Sequence, residues 1–326
     1  MAKEASNYED LGIDSKDRKI MYALDVNSRA SASEIAKKLR MDKNVVNYRI
    51  NRLIEKNVLL GFYAIVDLAR LGYEQFRIYL KYQNIGPKNE EELIDFIVKS
   101  PHSWWVGSID GKWDLGVVLW AKGTYEFSDF WGKLMKKYRS FIHSYEVAIY
   151  MGVYQFSHAY LSPEKVEEKA MCFLGERGDE KISANEEKIL KVLAQNARMP
   201  TVEIAKKAGA TPIMVKYAIR KFIKNGIIKG FRAFYNSNLL GLTEYKANIN
   251  LADIRHYEKL LDYAKGQPNI VYVDKTIGTA DFEIELPVEN HEKFKVVMRQ
   301  IKEKFSGIIR DYDYFIYSKV YKIRYF

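Results

Sequence analysis

Two short segments concentrate side chains that can hydrogen-bond with nucleic-acid bases and phosphates. The first carries Lys43, Asn44, Asn47, Tyr48, Arg49, Asn51 and Arg52. The second carries Ile213, Met214, Lys216, Tyr217, Arg220 and Lys221. An asparagine amide can pair with adenine through two hydrogen bonds, an arginine can pair with guanine or phosphate, and an apolar side chain can touch a thymine methyl group. This chemistry predicts two surfaces that contact double-stranded DNA.

Each set is predicted to lie on the third helix of a three-helix unit. Ser31 and Glu34 form an S-x-x-E capping box before the second helix, and Asp42 can cap the third. Asn57 in one unit and Gly226 in the other can take the left-handed conformation that ends a helix. Apolar residues at helical spacing mark the buried side of the third helix. Rotation by about 100° per residue then points four side chains outward: Asn44, Tyr48, Asn51 and Arg52.

Several of these side chains have alternative interpretations. Ordinary solvated helix faces show the same polar residues. Tyr48 and Tyr217 could be half-buried instead of facing the groove. Ile213 and Met214 could pack against protein, which would leave the second unit without DNA-binding activity.

Strand-like segments follow each third helix, at Val58–Ala64 and Ile227–Ala233. Their β-branched and aromatic residues favour strands, and we expect each segment to form a wing hairpin within its own unit. Three helices, a tight turn and a hairpin make a winged helix-turn-helix, whose third helix enters the major groove.

The chain is an internal duplication. A shift of 169 residues aligns Asp14–Ile85 with Ser183–Ile254 without a gap, and a shift of 167 brings Gly111–Asp114 onto Gly278–Asp281. Chance similarity would not hold one register over so long a stretch. The expected domains are a winged helix-turn-helix at 13–66, a sensing domain at 72–161, a linker at 162–182 with a helical turn near 164–171, a second winged helix-turn-helix at 183–235 and a second sensing domain at 241–326.

The second part of each copy follows the order strand, helix, strand, strand, helix, strand. Residue alternation and helical spacing predict strands at 74–83, 103–109, 113–121 and 142–154 and helices at 90–99 and 126–138. This β-α-β-β-α-β order is the ferredoxin-like pattern. The predicted fold class is therefore α+β.

Composition excludes several classes of protein. Hydrophobic residues make up 48% of the 326 residues, which argues against global disorder, and no apolar run is long enough to span a membrane. Residues 1–11 lack the pattern of a signal peptide, so we expect a cytoplasmic location. Cys172 is the single cysteine, and the five histidines form no close cluster. No metal site and no cofactor are therefore expected.

Positive charge is concentrated in the two three-helix units. The segment 13–66 holds 11 Lys or Arg against 6 Asp or Glu, and the segment 183–235 holds 11 against 3. The whole chain carries a net charge of +10, so the remainder is slightly acidic. This distribution indicates two separate polyanion-binding heads.

A set of motifs resembles the Lrp/AsnC (feast/famine) family of prokaryotic regulators, and we expect an archaeal member. The motifs are Asp14 with Asp17-Arg18-Lys19-Ile20, Glu34-Ile35-Ala36, Val46-x-x-Arg49-Ile50-x-Arg52-Leu53, Gly61-Phe62-x-Ala64, Leu71-Gly72 and Gly111-x-x-Asp114. The resemblance implies a winged helix joined to a ferredoxin-like (RAM-type) domain that dimerises and binds small effectors, commonly amino acids. In a tandem chain it implies an intramolecular pseudo-dimer that undergoes further homo-oligomerisation.

The resemblance also places an effector site at the turns that connect two strands of each sensing domain. The candidate effector contacts are Asp110, Gly111, Asp114, Gly278 and Asp281. The alternative is a plain β-turn whose aspartates are solvated, and this is the more common role of such a residue.

Two other functional classes stay open. A branch similar to this family is a siroheme decarboxylase with a stretch rich in His, Arg and Tyr where Ser108–Leu115 lies, but this chain has neither His nor Arg there. Nucleophile-elbow, P-loop and dinucleotide-binding motifs are absent from the sequence, so we predict no catalytic residues and no enzyme activity. The third class is an effector-binding protein that does not bind DNA.

Overall fold

A computed structural model describes residues 7–323 and 326. Each copy begins with a unit of three helices. We call the unit of the first copy head one and that of the second copy head two. The helices of head one are α1 (Ser15–Val26), α2 (Ala32–Leu39) and α3 (Lys43–Glu55), and those of head two are α6 (Ala184–Gln195), α7 (Thr201–Ala208) and α8 (Pro212–Lys224). The capping box of Ser31 and Glu34 is confirmed. Asn57 and Gly226 have φ values of 56° and 70°, which confirms the left-handed helix ends.

The strand after each third helix pairs with its counterpart from the other copy. Strands β1 (Leu59–Val66) and β7 (Ile228–Tyr235) form a two-stranded antiparallel sheet, in which Ala64 lies opposite Phe231. We call this sheet the ribbon. It corrects the expected hairpins, because each strand pairs with a strand of the other copy and not within its own head.

The heads are interlocked through the ribbon. The core of head one includes Ala233 and Tyr235 of β7, and the core of head two includes Ala64 and Val66 of β1. Each head therefore buries the strand of the opposite copy. Burial of apolar surface is the main favourable term in folding, so neither head has a complete core without the other copy.

The second part of each copy follows the predicted strand and helix order. Copy one contributes β2 (Glu74–Tyr82), α4 (Pro87–Lys99), β3 (Ser103–Asp110), β4 (Leu115–Ala121), α5 (Thr124–Tyr138) and β5 (Ile142–Phe156). Copy two contributes β8 (Thr243–Leu251), α9 (Tyr257–Gly266), β9 (Tyr272–Ile277), β10 (Phe282–Val288), α10 (His291–Lys304) and β11 (Ile309–Ile323). The α+β fold with two β-α-β-β-α-β domains is confirmed.

The two four-stranded sheets join edge to edge into a closed barrel. Strand β3 pairs with β11, β5 pairs with β9, and β2 pairs with both β4 and β5, so eight strands form one ring. Along β2, Phe76 and Ile78 pack in the core with the outer helices, whereas Arg77 alternates to the other face and contacts residues of copy two. The pseudo-dimer is thus built within one chain.

The linker runs in an extended conformation. The helical turn expected near 164–171 does not form, and β6 (Met171–Leu174) instead pairs with β5. The buried Lys169 ammonium donates hydrogen bonds to the carbonyls of Ala264, Gln267 and Ile270 at 2.9, 2.5 and 2.7 Å. Three carbonyl acceptors near the end of α9 therefore fix the path of the linker. In the described part of the chain, no helix combines the length and apolar character needed to cross a bilayer.

Candidate nucleic-acid interface

Capping side chains begin both third helices. The Asp42 carboxylate accepts hydrogen bonds from the backbone N–H groups of Asn44 and Val45 at 2.7 and 3.3 Å. The Thr211 hydroxyl accepts one from Met214 at 3.2 Å, and Pro212 occupies the first helical position. Caps of this kind stabilise a helix by about 1 kcal/mol. The start of each third helix is therefore well defined and faces solvent.

The outer face of α3 is rich in amides. Lys43, Asn44, Asn47, Tyr48 and Asn51 are exposed, and Tyr48 keeps 65% of its surface accessible. The opposite face is buried in the core of head one. Tyr48 is thus not half-buried, and the five side chains form one solvent-facing surface.

Arg49 and Arg52 are occupied within head one. Arg49 Nη1 lies 2.8 Å from carboxylate oxygens of both Asp14 and Asp17, and Arg52 Nη2 donates to Asp17. The Asp17 side chain is fully buried, and the Arg49 side chain is only 15% exposed. These ion pairs hold α3 against the start of α1. Helical rotation predicts that Arg52 faces outward. This prediction is wrong, because the Arg52 guanidinium turns toward Asp17 on α1.

The outer face of α8 differs from that of α3. Ile213, Met214 and Tyr217 are 80%, 43% and 70% exposed, and Lys216 and Arg220 are exposed beside them. Ile213 and Met214 therefore do not pack into the protein interior. They give head two an apolar and basic surface where head one has amides.

Lys221 occupies the position equivalent to Arg52. Its ammonium lies 2.8 Å from Glu186, which in turn is equivalent to Asp17. Both heads thus retain one clamp between the third and first helices. Lys221, like Arg52, orients its helix.

The heads are also joined by a reciprocal exchange of arginines. Arg29 donates to the carbonyl of Ala197, and Arg198 donates to the carbonyls of Ser28 and Ala30 at 2.7 and 2.8 Å. Arg29 and Arg198 are equivalent residues of the duplication, so the contacts follow a pseudo-two-fold relation. Each guanidinium also lies over a phenylalanine of the ribbon. The two third helices are therefore held in one mutual arrangement.

The candidate effector turns have structural roles. Asp114 accepts hydrogen bonds from the Lys81 ammonium at 2.8 Å and from the Tyr82 backbone N–H at 2.6 Å. The equivalent Asp281 accepts one from the Leu251 backbone N–H at 2.8 Å. Both aspartates fix the end of a neighbouring strand instead of being only solvated, and a role in binding an effector stays a prediction. Asp110 is exposed at the end of β3.

Two glycines in these turns allow the copies to approach closely. Gly111 has a φ of 140°, and a Cβ atom there would lie 3.1 Å from Cβ of Phe315. Gly278 has a φ of 106°, and its Cβ would lie 2.6 Å from the carbonyl oxygen of Val147. A side chain at Gly278 would therefore separate β9 from β5. These glycines position the barrel strands.

The barrel interior holds an ion cluster that the sequence analysis missed. We call Arg77, Lys246, Asp274, Glu283 and Glu285 the acid–base cluster. Arg77 Nη2 lies 2.7 Å from Glu283, and the Lys246 ammonium contacts Asp274 and lies 3.1 Å from both Glu283 and Glu285. Arg77 and Lys246 are at most 2% exposed. A sequence signal existed, because Glu283 and Glu285 lie at alternate positions of one predicted strand.

Electrostatic effects on the carboxyl groups of the cluster are unequal. Burial raises the pKa of Asp274 to about 6, and the nearby Glu285 and Glu283 add to this, although Lys246 and Arg77 lower it. Burial also raises the pKa of Glu283, but Arg77 and Lys246 outweigh it and hold that pKa well below its usual range. Of the two acids, Asp274 is the one that titrates near neutrality.

A family model for winged helix-turn-helix DNA-binding domains matches residues 13–59 and again residues 182–229. An HTH-type transcriptional regulator of Pyrococcus abyssi is 30% identical over 116 residues, which cover 35% of this chain and 77% of that protein. The regulatory protein AsnC of Haemophilus influenzae is 31% identical over 111 residues, which cover 34% of this chain and 73% of AsnC.

A solved structure is similar to nearly the whole tandem. The crystal structure of the siroheme decarboxylase NirDL superposes with a TM-score of 0.63 at 14% identity, covering 94% of this chain and 92% of that one. At this identity the likeness concerns the fold alone. The two family matches and the similarity to AsnC and its archaeal relatives place the chain, as a tandem duplicate, in the Lrp/AsnC family of helix-turn-helix transcription regulators.

Proposed function

We propose that the chain is a sequence-specific regulator whose two unlike heads read the two halves of one operator in double-stranded DNA. The observation that carries this proposal is the pair of capped, solvent-facing third helices held together by the ribbon and by Arg29 and Arg198. Dimeric helix-turn-helix proteins present two such helices to the major groove. Here one polypeptide supplies both, and it acts in the cytoplasm.

The two heads are assigned different base contacts. In head one, Lys43, Asn44, Asn47, Tyr48 and Asn51 face the groove, and their amides suit adenine. In head two the corresponding face consists of Ile213, Met214, Lys216, Tyr217 and Arg220, which suits thymine methyl groups, guanine and phosphate. The preferred operator is therefore only partly symmetric.

A small effector, such as an amino acid, is proposed to regulate this binding. A ligand changes an equilibrium only if it binds one arrangement more tightly than the other. The ribbon connects both third helices to the barrel, so a ligand that shifts the barrel against the ribbon changes the relation between the heads. Further homo-oligomerisation is proposed to occur through the barrel.

The main rival is a siroheme-decarboxylase-like enzyme on the same fold. Mixing the protein with a ferric tetrapyrrole and recording its absorbance spectrum separates this rival from a regulator. A shifted Soret band with a stoichiometric endpoint would favour the enzyme. An effector-binding protein without DNA contact is the other rival, and a mobility-shift assay on the upstream DNA of its own gene distinguishes that case.

The decisive experiment is charge reversal on the exposed face of head two. The double variant Lys216→Glu, Arg220→Glu is expected to bind upstream DNA roughly 10- to 100-fold more weakly, because phosphate neutralisation dominates affinity. The matched control Lys136→Glu, Lys259→Glu changes the charge equally on outer barrel helices and should bind like the parent. Unchanged affinity in the folded head-two variant would refute a DNA-contacting head two.

A further inference from the structure

A cavity of about 170 Å³ lies between the ribbon and the barrel. Tyr63 and Val66 of β1 and Phe234 of β7 line one side, and strands from both barrel halves line the other. At about 30 Å³ for each water molecule, this volume accommodates roughly six of them. The space suits a small organic molecule and is too small for a macrocycle.

The barrel side of the cavity carries surplus negative charge. Arg77, Asp274 and Glu285 line the cavity and are bonded to Lys246 or Glu283. The acid–base cluster thus contains three carboxylates and two cations. A buried net charge is costly unless an opposite charge or a proton compensates it. A ligand that carries positive charge would therefore be stabilised here.

Two polar groups on this wall lack a complete set of partners. Glu285 receives hydrogen bonds from Lys246 and from the Tyr317 hydroxyl at 3.1 and 2.9 Å, and both end on Oε1. Its other oxygen accepts no hydrogen bond from residues 7–323. Arg77 Nε has no acceptor within the same part of the chain, but it has almost no surface that a molecule in the cavity could reach. The cavity therefore offers one anionic acceptor, the Glu285 carboxylate.

Aromatic rings complete the wall. Trp105, Tyr150, Tyr272 and Tyr317 line the cavity, and the Trp105 and Tyr317 rings meet edge to face at 4.9 Å. Arg77 already lies 5.1 Å from the centre of the Tyr150 ring. Aromatic faces attract organic cations, most strongly where water is excluded. Carboxylates beside such rings are a recognition chemistry for ammonium groups.

We propose that this cavity binds one small organic ammonium ion. The ammonium group would contact Glu285 and the aromatic rings. A ligand of zero net charge would leave the surplus uncompensated. Net positive charge is therefore the property that distinguishes ligands.

The two copies differ at this wall, so the chain has one such site and not two. Asp274, Glu283 and Glu285 are equivalent to Gly107, Gly116 and Val118 of copy one. A Cβ atom at Gly107 or Gly116 would lie 2.7 or 2.9 Å from the Trp105 ring. That ring fills the space that the acids occupy in copy two, so the pseudo-two-fold relation does not create a second acidic wall.

Three ligands of similar chain length test the chemistry by isothermal titration calorimetry on the full chain. L-lysine carries net positive charge and a carboxylate, L-norleucine lacks the side-chain ammonium, and 1,5-diaminopentane lacks the carboxylate. L-lysine and 1,5-diaminopentane should each bind once per chain and at least about tenfold more tightly than norleucine, since a hydrogen bond to a charged group contributes about 1.5–3 kcal/mol. Equal affinity for L-lysine and norleucine would overturn the proposal.

Substitutions in the cavity wall test whether the ligand binds there. Glu285→Gln should weaken L-lysine binding about 10- to 100-fold, and Trp105→Leu should weaken it about 2- to 30-fold through loss of the ring face. Glu292→Gln alters an exposed acid of α10 and should leave binding unchanged. If either cavity variant melts early by circular dichroism, the other decides. Full L-lysine affinity in a folded Glu285→Gln or Trp105→Leu protein would overturn the site.

Control of DNA binding by this ligand rests on the proposed function and is measured separately. Operator affinity without any ligand tests the heads alone. Failure there, with intact L-lysine binding, would count against the regulator and leave the cavity site in place. Intact operator binding without L-lysine binding would support the regulator and count against the cavity site.

Discussion

The two copies of this chain differ most at the outer face of their third helices. Copy one presents amides on α3, whereas copy two presents Ile213 and Met214 together with basic residues on α8. The clamps beneath these faces are retained, since Arg52 with Asp17 corresponds to Lys221 with Glu186. Duplication thus left the orientation of the helix fixed and allowed the contacting face to diverge.

The barrel interior likewise combines features that the two copies share with features in which they differ. The contacts that Arg29 and Arg198 make between the copies are kept in both directions. Within each copy an equivalent aspartate, Asp114 or Asp281, fixes the end of a strand. The inner wall diverged instead. The residues that join the copies are thus alike in both, whereas the outer faces of the third helices and the inner wall of the barrel differ.

The largest expected effect comes from the acid–base cluster, whose three carboxylates all belong to copy two. Lys246→Met leaves these carboxylates, two of them buried, with one cation and should lower the free energy of unfolding by about 3–5 kcal/mol. Lys99→Met removes an exposed lysine paired with Asp95 in copy one and should change it by less than about 0.5 kcal/mol. Urea denaturation measures both. A Lys246→Met protein as stable as its parent would show that the cluster does not stabilise the fold.

The clamps of the two heads should differ in strength. Asp17 is fully buried and binds two arginines, whereas Glu186 is 17% exposed and binds one lysine. Asp17→Asn should destabilise the protein by about 1.5–3 kcal/mol, and Glu186→Gln by less than about 1 kcal/mol. Thermal unfolding by circular dichroism compares them. Equal losses would mean that the clamps do not differ as burial indicates.

Local features of the fold could be predicted from the sequence. Capping residues such as Ser31 and Asp42 act within one turn of helix, so neighbouring residues suffice to locate helix starts. The fixed offset between copies likewise predicts that the β-α-β-β-α-β pattern occurs twice. These signals depend on interactions between near neighbours or on self-similarity, and both can be recognised in the sequence.

Features that depend on distant partners could not be predicted. The ribbon pairs strands from different copies, and strand propensity does not identify a partner. Arg52 faces outward by helical rotation, yet Asp17 on α1 binds it. The cluster left a readable trace, because Glu283 and Glu285 alternate on one strand where copy one has Gly116 and Val118. Comparing the copies position by position would have revealed it.

The two heads should contact DNA in different ways. Asn44→Ala or Asn47→Ala should cost about 1–3 kcal/mol at particular base pairs of one half-site and leave the salt dependence unchanged. Lys216→Ala should weaken binding to all sequences and reduce the slope of log affinity against log salt by about 0.9. Selection from random DNA followed by salt titration measures both. A perfect palindrome from the parent protein would contradict the division between heads.

The smallest expected effect is a pH dependence that copy one cannot produce, because Gly107 stands where copy two has Asp274. Burial raises the pKa of Asp274 to about 6. The groups around it are Lys246 of β8, Arg77 of β2, the Tyr150 hydroxyl of β5 and two glutamates of β10.

Below pH 6 a proton on Asp274 cancels the surplus negative charge, so an ammonium ligand must displace that proton. L-lysine affinity should therefore be constant above about pH 7 and fall about tenfold between pH 7 and pH 5, since one pKa unit corresponds to about 1.4 kcal/mol. L-lysine keeps its own charge over this range. Asp274→Asn, which cannot take up this proton, should bind weakly with a flat profile. A flat calorimetric profile for the parent protein would separate ammonium binding from Asp274 and leave charge compensation to Glu285.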